Sequence, residues 1–344
     1  MVKELIRSFL TAVCLHRLFR FFNKNRFIVI TYHGIVSSPV NPFNWSILPL
    51  ANFSWQIKYL KSCFNILPLD VLITKIIAGQ PLPKNTAAVT FDDGFENVFV
   101  TAFPLLKAQR IPATIFITTN YIDTKKILWP EELYLLFKKT KEQRLDLRNI
   151  GLKNHDLQTI YLRENAYLET VEHLKKLRPE ERLIQLNNIR EKTRIEKLDE
   201  SDKKNFLMLS REQINKMFSS SLISFGAHTA NHEILSHLDE DEQQKEIHLS
   251  CRTIKSLSGS KVIFFAYPNG GKNDYNETTV NILKKENVIC ALTNIEGLNS
   301  KDDNLYGLKR INVDGRTTKS QFKLVTSGFH AAIKYFFNML CSKN

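Results

Sequence analysis

Two pairs of residues in this chain have the types and spacing of a hydrolytic metal site. Asp92 and Asp93 are adjacent at the end of an apolar run, and His228 and His232 lie four residues apart far downstream. Together they offer three ligands for a divalent ion and one spare carboxylate that can accept a proton, which is what metal-assisted hydrolysis requires. The pattern predicts a metallohydrolase site that the fold must assemble.

Each half of this pattern also has an ordinary structural interpretation. Asp93-Gly94 is a common turn sequence, although two carboxylates directly after a buried run repel each other unless a cation lies beside them. Histidines four residues apart also occur by chance, although these two follow a predicted strand and can face one ion. Neither half defines a site alone, and the hypothesis depends on both together.

A turn at residues 265–271 is a third candidate. The sequence FAYPNGG ends an apolar run in a proline and two glycines. One interpretation is that a backbone N–H near Tyr267 or Asn269 faces a developing oxyanion. The other is that the segment is only a tight turn.

Short apolar runs indicate the elements that must position these residues. Seven runs rich in β-branched and aromatic residues are predicted to be buried strands, at 27–32, 87–91, 113–118, 222–225, 262–265, 288–292 and 309–313. Helices are predicted between several of them, at 53–63, 97–109, 240–257 and 277–286. This alternation predicts an α/β fold of parallel strands covered by crossover helices. In a parallel barrel the carboxyl ends of the strands converge, so the candidate residues are expected to meet.

Three further segments are distinguished by composition. Residues 125–204 hold 19 Lys or Arg and 15 Asp or Glu with leucines at helical spacing, which predicts a helical insertion beside the barrel mouth. Residues 1–26 hold six basic residues and one acidic residue among Leu and Phe. They are predicted to form either a helix lying on an anionic membrane or an ordinary packed first helix. Residues 316–344 are predicted to be helical, and residues 27–315 to form the barrel.

The bulk composition limits the function classes. The net charge of +13 fits an anionic partner surface, but no nucleic-acid motif accompanies it, so no nucleic acid is expected. The five cysteines form no C-x-x-C pair, which favours a reducing compartment without disulfides. No apolar stretch in residues 1–26 is long enough for a spanning helix, and no signal peptide is expected. We expect a cytoplasmic location, with peripheral contact at the inner face of the membrane.

The motifs together resemble the polysaccharide deacetylase family, the NodB-homology carbohydrate esterases. The resemblance rests on TFDDG at 90–94, HTANH at 228–232 and FAYPNG at 265–270, and covers roughly residues 27–315. The sequences at 30–35 and 308–311 also resemble the family's surface-polysaccharide branch. The resemblance implies a distorted (β/α) barrel, removal of acetyl groups from N-acetylated sugars and a divalent metal, with zinc expected before cobalt or nickel.

Carried over to this sequence, the resemblance implies a role for each candidate. Asp93, His228 and His232 would hold the metal, and Asp92 would be the general base. A backbone N–H in the turn containing Tyr267 and Asn269 would bind the oxyanion.

Two departures from the family pattern concern the base and the acid. Many members have an Arg in the third motif that tethers the base, where this chain has Ala266. Many also have a late His that supplies the acid, and no His occurs between His248 and His330. His33, which follows the first predicted strand, is a candidate acid or a brace, and Asp92 is an alternative proton carrier.

The sequence therefore predicts a metal-dependent hydrolase of linear amide C–N bonds. Its substrate would be an N-acetylated sugar of a polysaccharide or of a lipid-linked glycan precursor. Because of the two departures, a catalytically silent barrel that binds acetylated glycan or scaffolds a biosynthetic complex is the alternative. A related hydrolase that acts on another amide is a third possibility.

Overall fold

The computed structural model describes residues 2–40, 43–259 and 263–329. In these residues the strands are β1 Phe27–Tyr32, β2 Gly34–Val36, β3 Ile47–Pro49, β4 Asn65–Ile66, β5 Thr86–Phe91, β6 Ala113–Ile117, β7 Arg144–Asp146, β8 Asn154–Asp156, β9 Ile223–Ala227, β10 Ile263–Ala266, β11 Val288–Glu296 and β12 Leu308–Asn312. The α-helices are α1 Val2–Ala12, α2 Leu15–Phe22, α3 Leu50–Cys63, α4 Leu69–Ile77, α5 Phe103–Gln109, α6 Trp129–Lys139, α7 Ile160–Leu174, α8 Pro179–Thr193, α9 Glu200–Lys203, α10 Arg211–Phe218, α11 Glu240–Ser258, α12 Glu277–Lys285 and α13 Lys319–Thr326.

Seven parallel strands close into a barrel. Their order is β1, β12, β11, β10, β9, β6 and β5, and β5 pairs again with β1, while the short β4 joins beside β5. The predicted (β/α) barrel is confirmed, and each predicted strand matches a barrel strand. The largest difference is β11, which continues four residues beyond its predicted end through a register shift against β12. The predicted strand at 262–265 starts at a residue that lies outside the described part.

The barrel strands are buried on both sides, as expected for a parallel sheet covered by helices. All six residues of β1 and of β5 are buried. Alternate side chains of β1 belong to two different apolar clusters, Ile28 and Ile30 to the larger one and Phe27 and Val29 to the smaller one. Such alternation directs one set into the barrel and the other toward the surrounding helices.

The predicted helix at 97–109 divides into two parts. A π-helical turn spans Val98–Ala102, and α5 begins at Phe103 with Pro104 in its first turn. Proline has no N–H to donate to the preceding turn and its ring crowds the carbonyl four residues earlier. The interruption therefore lies where the sequence places the proline.

Residues 125–204 form helices α6 to α9 and a two-stranded antiparallel hairpin of β7 and β8. The hairpin was not predicted, because its two strands have a single buried residue each, Leu145 and His155, between polar neighbours. Tyr134 of α6 packs edge-to-face on Tyr167 of α7 and on Phe206, so this segment has an aromatic core of its own that continues to the barrel side.

The first two helices pack on α13 along one face and are exposed along another. Arg7 donates a hydrogen bond to Gln321, and Phe19 contacts Phe329 edge-to-face at 5.0 Å. On the outer face Phe9 is 65% exposed and Phe22 is 72% exposed. Within the described residues, none of the helices combines the length and the apolar character that crossing a bilayer requires. The predicted C-terminal helical segment is described only as far as residue 329, and residues 330–344 lie outside.

Candidate metal and active site

The candidate residues meet where the barrel strands end. Asp92 and Asp93 follow β5, His228 follows β9, Asn269 follows β10, and Asn294 and Arg310 lie near the ends of β11 and β12. We call these residues, together with His232, the carboxyl edge. A cavity of about 220 Å³ opens on the edge and is lined by Asp92, His228, His232, Asn269 and Asn294 among others. Convergence of parallel strands thus assembles a site from parts more than 200 residues apart.

Three side chains have the arrangement of metal ligands. Asp93 Oδ1 lies 3.5 Å from His228 Nε2 and 3.2 Å from His232 Nε2, and the three ligand atoms are all within 4.8 Å of one another. Asp93 Oδ1 is buried and has no well-formed hydrogen bond among the described residues. His228 Nδ1 donates to the Ala266 carbonyl at 2.7 Å, which fixes the ring with Nε2 toward Asp93. An oxygen without a partner facing two imidazole nitrogens fits a divalent ion such as zinc.

The backbone is left-handed at two of the three ligand residues and at two other loop residues nearby. Asp93, Thr229, His232 and Asn269 have φ values of 71°, 58°, 62° and 59°. Such values are uncommon for residues other than glycine and cluster at functional sites, where the surrounding structure enforces them. Gly94 follows Asp93 with φ of 88°, and a Cβ there would lie 3.2 Å from Ile117. The glycine of the TFDDG motif is therefore required for the turn that presents Asp93.

A carboxylate of α11 holds the loop between the two histidines. Glu246 Oε2 accepts hydrogen bonds from the backbone N–H groups of Ala230 and Asn231, at 3.0 and 2.8 Å, and Oε1 accepts one from the Asn231 side chain. Sequence reasoning did not identify Glu246. Outer residues of this kind fix the orientation of metal ligands.

The predicted base is held by an arginine from a different strand than the family pattern suggests. Arg310 Nη1 and Nη2 donate to the two oxygens of Asp92, each at 2.7 Å, and both side chains are buried. Arg310 also donates to the Thr293 carbonyl and to Asn294 Oδ1. The missing tether inferred from Ala266 is corrected, because β12 supplies the arginine that the third motif lacks. The sequence signal that could have identified Arg310 is its position inside an apolar run predicted to be a buried strand.

The pKa values of both aspartates lie below the ordinary range. Burial opposes ionisation of each carboxyl and is the largest single influence on Asp92, but the Arg310 guanidinium together with His228 and His33 outweighs it and lowers the pKa of Asp92. Contacts with His228 and His232 outweigh burial at Asp93 and hold its pKa well below the ordinary value. Both carboxylates are therefore ionised at neutral pH, one beside a cation and one facing the histidines.

The turn after β10 has one backbone N–H that remains for an oxyanion. The Tyr267 N–H donates to the Leu292 carbonyl at 3.1 Å and its hydroxyl donates to the Tyr306 carbonyl, while Pro268 has no N–H. Tyr267 is not among the described residues that line the cavity, whereas Asn269 is. Of the two predicted residues, the geometry therefore leaves the role to the N–H of Asn269.

His33 lies in the cavity beside an aromatic wall. It is buried, its ring meets Trp45 edge-to-face at 4.9 Å, and Nδ1 has no hydrogen-bond partner among the described residues. Burial lowers the pKa of His33, although Asp93 opposes part of that effect. His33 is thus neutral near pH 7 and must first receive a proton before it can deliver one.

The segment 125–204 forms the opposite wall of the cavity. Trp129 and Pro130 of α6 line it together with Leu168, Val171 and Lys175. This wall is mainly apolar and faces the charged carboxyl edge. A bound molecule would therefore have one polar reacting side and one apolar side.

A buried glutamate of α6 was not identified from the sequence. Glu131 Oε1 accepts a hydrogen bond from Ser46 at 3.1 Å, and Oε2 has no partner among the described residues. Burial, followed by the negative charge of Asp93, raises the pKa of Glu131 to about 8. Its sequence context, the first turn of a helix, is ordinary for a glutamate, so nothing in the sequence distinguishes it.

Comparison with known proteins places the chain in a family. The chain belongs to the polysaccharide deacetylase family, because the model of that family matches residues 79–289, more than half of the chain. The resemblance drawn from the motifs is thereby confirmed.

Two curated relatives share 29% identity with this chain. The poly-β-1,6-N-acetyl-D-glucosamine N-deacetylase of Staphylococcus epidermidis matches over 154 residues, 40% of this chain and 52% of that protein. YxkH of Bacillus subtilis strain 168, whose name assigns it to the polysaccharide deacetylases, matches over 296 residues, 86% of this chain and 74% of that protein. The chain thus spans about half the length of the first of these relatives.

Solved structures share the fold at low identity. The deacetylase PplD of Streptococcus pyogenes, in complex with acetate, has a TM-score of 0.57 at 18% identity, covering 88% of this chain and 98% of that one. IcaB of Ammonifex degensii has a TM-score of 0.56 at 19% identity, covering 88% and 97%. At these identities the likeness establishes the architecture of the barrel.

Proposed function

We propose that this protein removes acetyl groups from an N-acetylated glucosamine polymer or from its lipid-linked precursor. The observation that carries the proposal is that two features occur together at one cavity. The metal-ligand set of Asp93, His228 and His232 includes an Asp93 oxygen without a hydrogen-bond partner among the described residues, and the ionised carboxylate of Asp92 is held by Arg310. The name of the Staphylococcus epidermidis relative supports N-acetylglucosamine as the sugar class. The reaction would hydrolyse the amide, giving acetate and a free amine.

Asp93, His228 and His232 would hold a divalent metal, for which we propose zinc. When bound, such an ion lowers the pKa of water from 15.7 to about 7 and polarises a carbonyl oxygen. His228 and His232 both line the cavity, so an ion held by the three side chains would be reached from it.

Asp92 would act as the base. Its pKa is lowered by Arg310, so the carboxylate is free of a proton at neutral pH and can accept one from water as the water oxygen attacks the acetyl carbon. The bidentate contact fixes the carboxylate in place, which keeps it aligned for proton transfer. Arg310 thus orients the base and keeps it ionised.

The Asn269 N–H would donate to the oxyanion that forms on the acetyl carbonyl. When the C–N bond breaks, the nitrogen must gain a proton to leave as an amine. We assign that proton to Asp92, which has just received one from water, because His33 is neutral near pH 7. Acetate and the amino sugar then leave with the atoms of one water divided between them.

The aromatic and apolar wall suits a sugar. Trp45 and Trp129 line the cavity with Leu168 and Val171, and sugar rings and acetyl methyl groups present apolar faces. Lys175 of the same wall can reach ring hydroxyls. The segment 125–204 would therefore select the substrate while the carboxyl edge performs the hydrolysis.

The test separates metal binding from turnover. His228→Ala should lose the ion that elemental analysis finds in the wild type, while Asp92→Asn should keep the ion and lose release of acetate from N-acetylglucosamine oligomers. Turnover by Asp92→Asn at the wild-type rate would refute the base assignment. Wild-type protein that retains no divalent ion after loading would refute the metal site.

The silent binding barrel was motivated partly by the missing arginine. Since Arg310 provides that contact, the motive that remains is the missing late histidine. Acetate release by the wild type, lost in Asp92→Asn, would exclude the silent barrel.

We further propose a peripheral position at the inner, cytoplasmic face of an anionic membrane. The exposed apolar side chains of α1 and α2, including Phe9 and Phe22, lie among the six basic residues of positions 1–26. Phe9→Ser with Phe22→Ser should reduce sedimentation with anionic vesicles. Sedimentation equal to wild type would contradict the membrane contact.

A further inference from the structure

A second cavity lies between α2, α3 and α13, three helices that carry none of the proposed metal ligands. Its volume is about 750 Å³, and it is lined by Arg17, Arg20, Lys58, Lys323 and His16 together with Trp55 and Tyr59. We call it the basic cleft. No carboxylate is among the described residues that line it.

The cations of the basic cleft lack acidic partners. Arg17, Arg20, Lys58 and Lys323 take part in no ion pair within the described ranges, where Arg20 donates to the Tyr59 hydroxyl at 3.1 Å. The sequence of residues 330–344 contains no Asp or Glu, so no side chain there can neutralise the cleft. Four cations collected from three helices without a counter-charge form a site for an external anion.

His16 lines the same cleft as the cations. His16 is buried, with only 5% of its surface exposed, and its Nδ1 atom has no hydrogen-bond partner among the described residues. Burial and then the charges of Lys323, Arg20 and Arg17 lower the pKa of His16 to about 4. Three of the four cations of the cleft thus act on the His16 ring.

The surroundings favour a lipid headgroup as the anion. Helix α2 carries Arg17 and Arg20 of the cleft and also Leu18, Phe21 and Phe22, which are exposed. Trp55 and Tyr59, stacked with ring centroids 5.6 Å apart, form an aromatic wall beside the charges. Cations, amphipathic aromatic rings and an exposed apolar face on one helix match the layers of an anionic membrane interface.

We propose that the basic cleft binds the phosphate headgroup of an anionic phospholipid while the apolar side chains of α2 enter the bilayer interface. The inference rests on the proposed membrane contact and assigns it a headgroup site that is separate from the carboxyl edge. Binding there would hold the barrel at a membrane whose glycolipids are its proposed substrates.

The experiment compares two charge-matched triple variants of the full chain. The cleft variant is Arg17→Gln, Lys58→Gln and Lys323→Gln, and the control is Lys245→Gln, Arg252→Gln and Lys285→Gln, which are exposed and lie on α11 and α12. Sedimentation is measured with vesicles of phosphatidylcholine alone and of equal parts phosphatidylcholine and phosphatidylglycerol. Because each cation near an anionic surface contributes about fivefold, the cleft variant should bind the mixed vesicles roughly 100-fold more weakly than wild type.

The control variant should bind the mixed vesicles much more strongly than the cleft variant, and wild type should bind phosphatidylcholine weakly. Equal losses in the two variants would overturn the proposal, since net charge alone would explain them. Tight binding of inorganic pyrophosphate without retention on vesicles would also overturn it, as would tighter binding of a single-stranded RNA oligomer than of vesicles.

Two further measurements keep the outcomes distinct. Far-ultraviolet circular dichroism and acetate release from soluble oligomers should be unchanged in the cleft variant, which shows that it is folded. If Phe9→Ser with Phe22→Ser loses vesicle binding while the cleft variant keeps it, the membrane contact stands and the headgroup site is wrong.

Discussion

The carboxyl edge and the basic cleft both gather charges from several elements, but they neutralise them differently. At the carboxyl edge Arg310 pairs with Asp92, and two histidines face Asp93, all within the protein. In the basic cleft the cations have no acidic partner among the described residues. Buried charges must be compensated internally because desolvation is costly, whereas partly exposed charges can remain uncompensated until a ligand arrives.

The difference bears on what each region can do. A compensated, buried carboxylate starts ionised and is held in one position, which suits a group that is to accept a proton. Cations without partners attract an anion from outside and are screened by salt. Removing a charge should therefore destabilise the carboxyl edge and stabilise the basic cleft. Four predictions test these two regions and the residues around them.

The largest effect is expected at Arg310. Arg310→Met leaves Asp92 buried without its cation, which should lower the free energy of unfolding by about 3 to 5 kcal/mol and abolish acetate release. Urea unfolding and an acetate assay measure both. Arg148→Met, which removes a solvent-exposed pair with Asp146, is the control and should leave the free energy of unfolding nearly unchanged. Equal losses of unfolding free energy in the two variants would show that burial of the Asp92–Arg310 pair does not determine its contribution to stability.

The next effect concerns Glu131 and pH. Above the ordinary carboxyl pKa of 4.5 the unfolded chain loses this proton, while the folded protein keeps it up to about 8. In that window the free energy of unfolding of the metal-free protein should fall as pH rises, by up to about 1.4 kcal/mol per pH unit. Glu131→Gln should flatten the slope. Glu132→Gln on the same helix is the control, and a flattened slope there as well would contradict the assignment.

A smaller effect is expected at Glu246. Glu246→Gln keeps one oxygen for the Ala230 and Asn231 N–H groups but replaces the oxygen that accepts from the Asn231 side chain, so the loop carrying His232 is held less firmly. Zinc affinity, measured by competition with a chelator, should drop about tenfold. Glu240→Gln, in the exposed first turn of the same helix, should leave it unchanged. An affinity equal to wild type in Glu246→Gln would mean that the loop is fixed by other contacts.

The smallest effect has the opposite sign. Lys323→Gln removes one of the repelling cations of the basic cleft and should raise the free energy of unfolding by a few tenths of a kcal/mol. It should also raise the pKa of His16 from about 4, because Lys323 is the largest electrostatic cause of that depression after burial. Nuclear magnetic resonance titration of His16 measures the second change. An unchanged pKa of His16 would show that the charge of Lys323 does not act on this histidine.

The sequence predicted the barrel because its signals are local and repeated. Seven apolar runs alternating with helical segments specify parallel strands with crossovers, and all seven are barrel strands. The hairpin of β7 and β8 was missed because polar strands with one buried residue lack that periodicity. The division of the helix at 97–109 was readable from Pro104 but was not predicted.

The sequence by itself singled out Asp92, Asp93, His228 and His232 as candidates, because their types and short spacings are visible without a fold. Only the tertiary structure decided which groups complete the site. Arg310 reaches Asp92 across 218 positions, and Glu131 is buried against the site by a helix of the segment 125–204. The tertiary structure also decided that the Tyr267 N–H donates to a carbonyl of the sheet. Of the two predicted residues, Asn269 is therefore the one whose N–H is left for the proposed oxyanion. Partnership between distant residues depends on strand order and helix packing, and neither is encoded in local spacing.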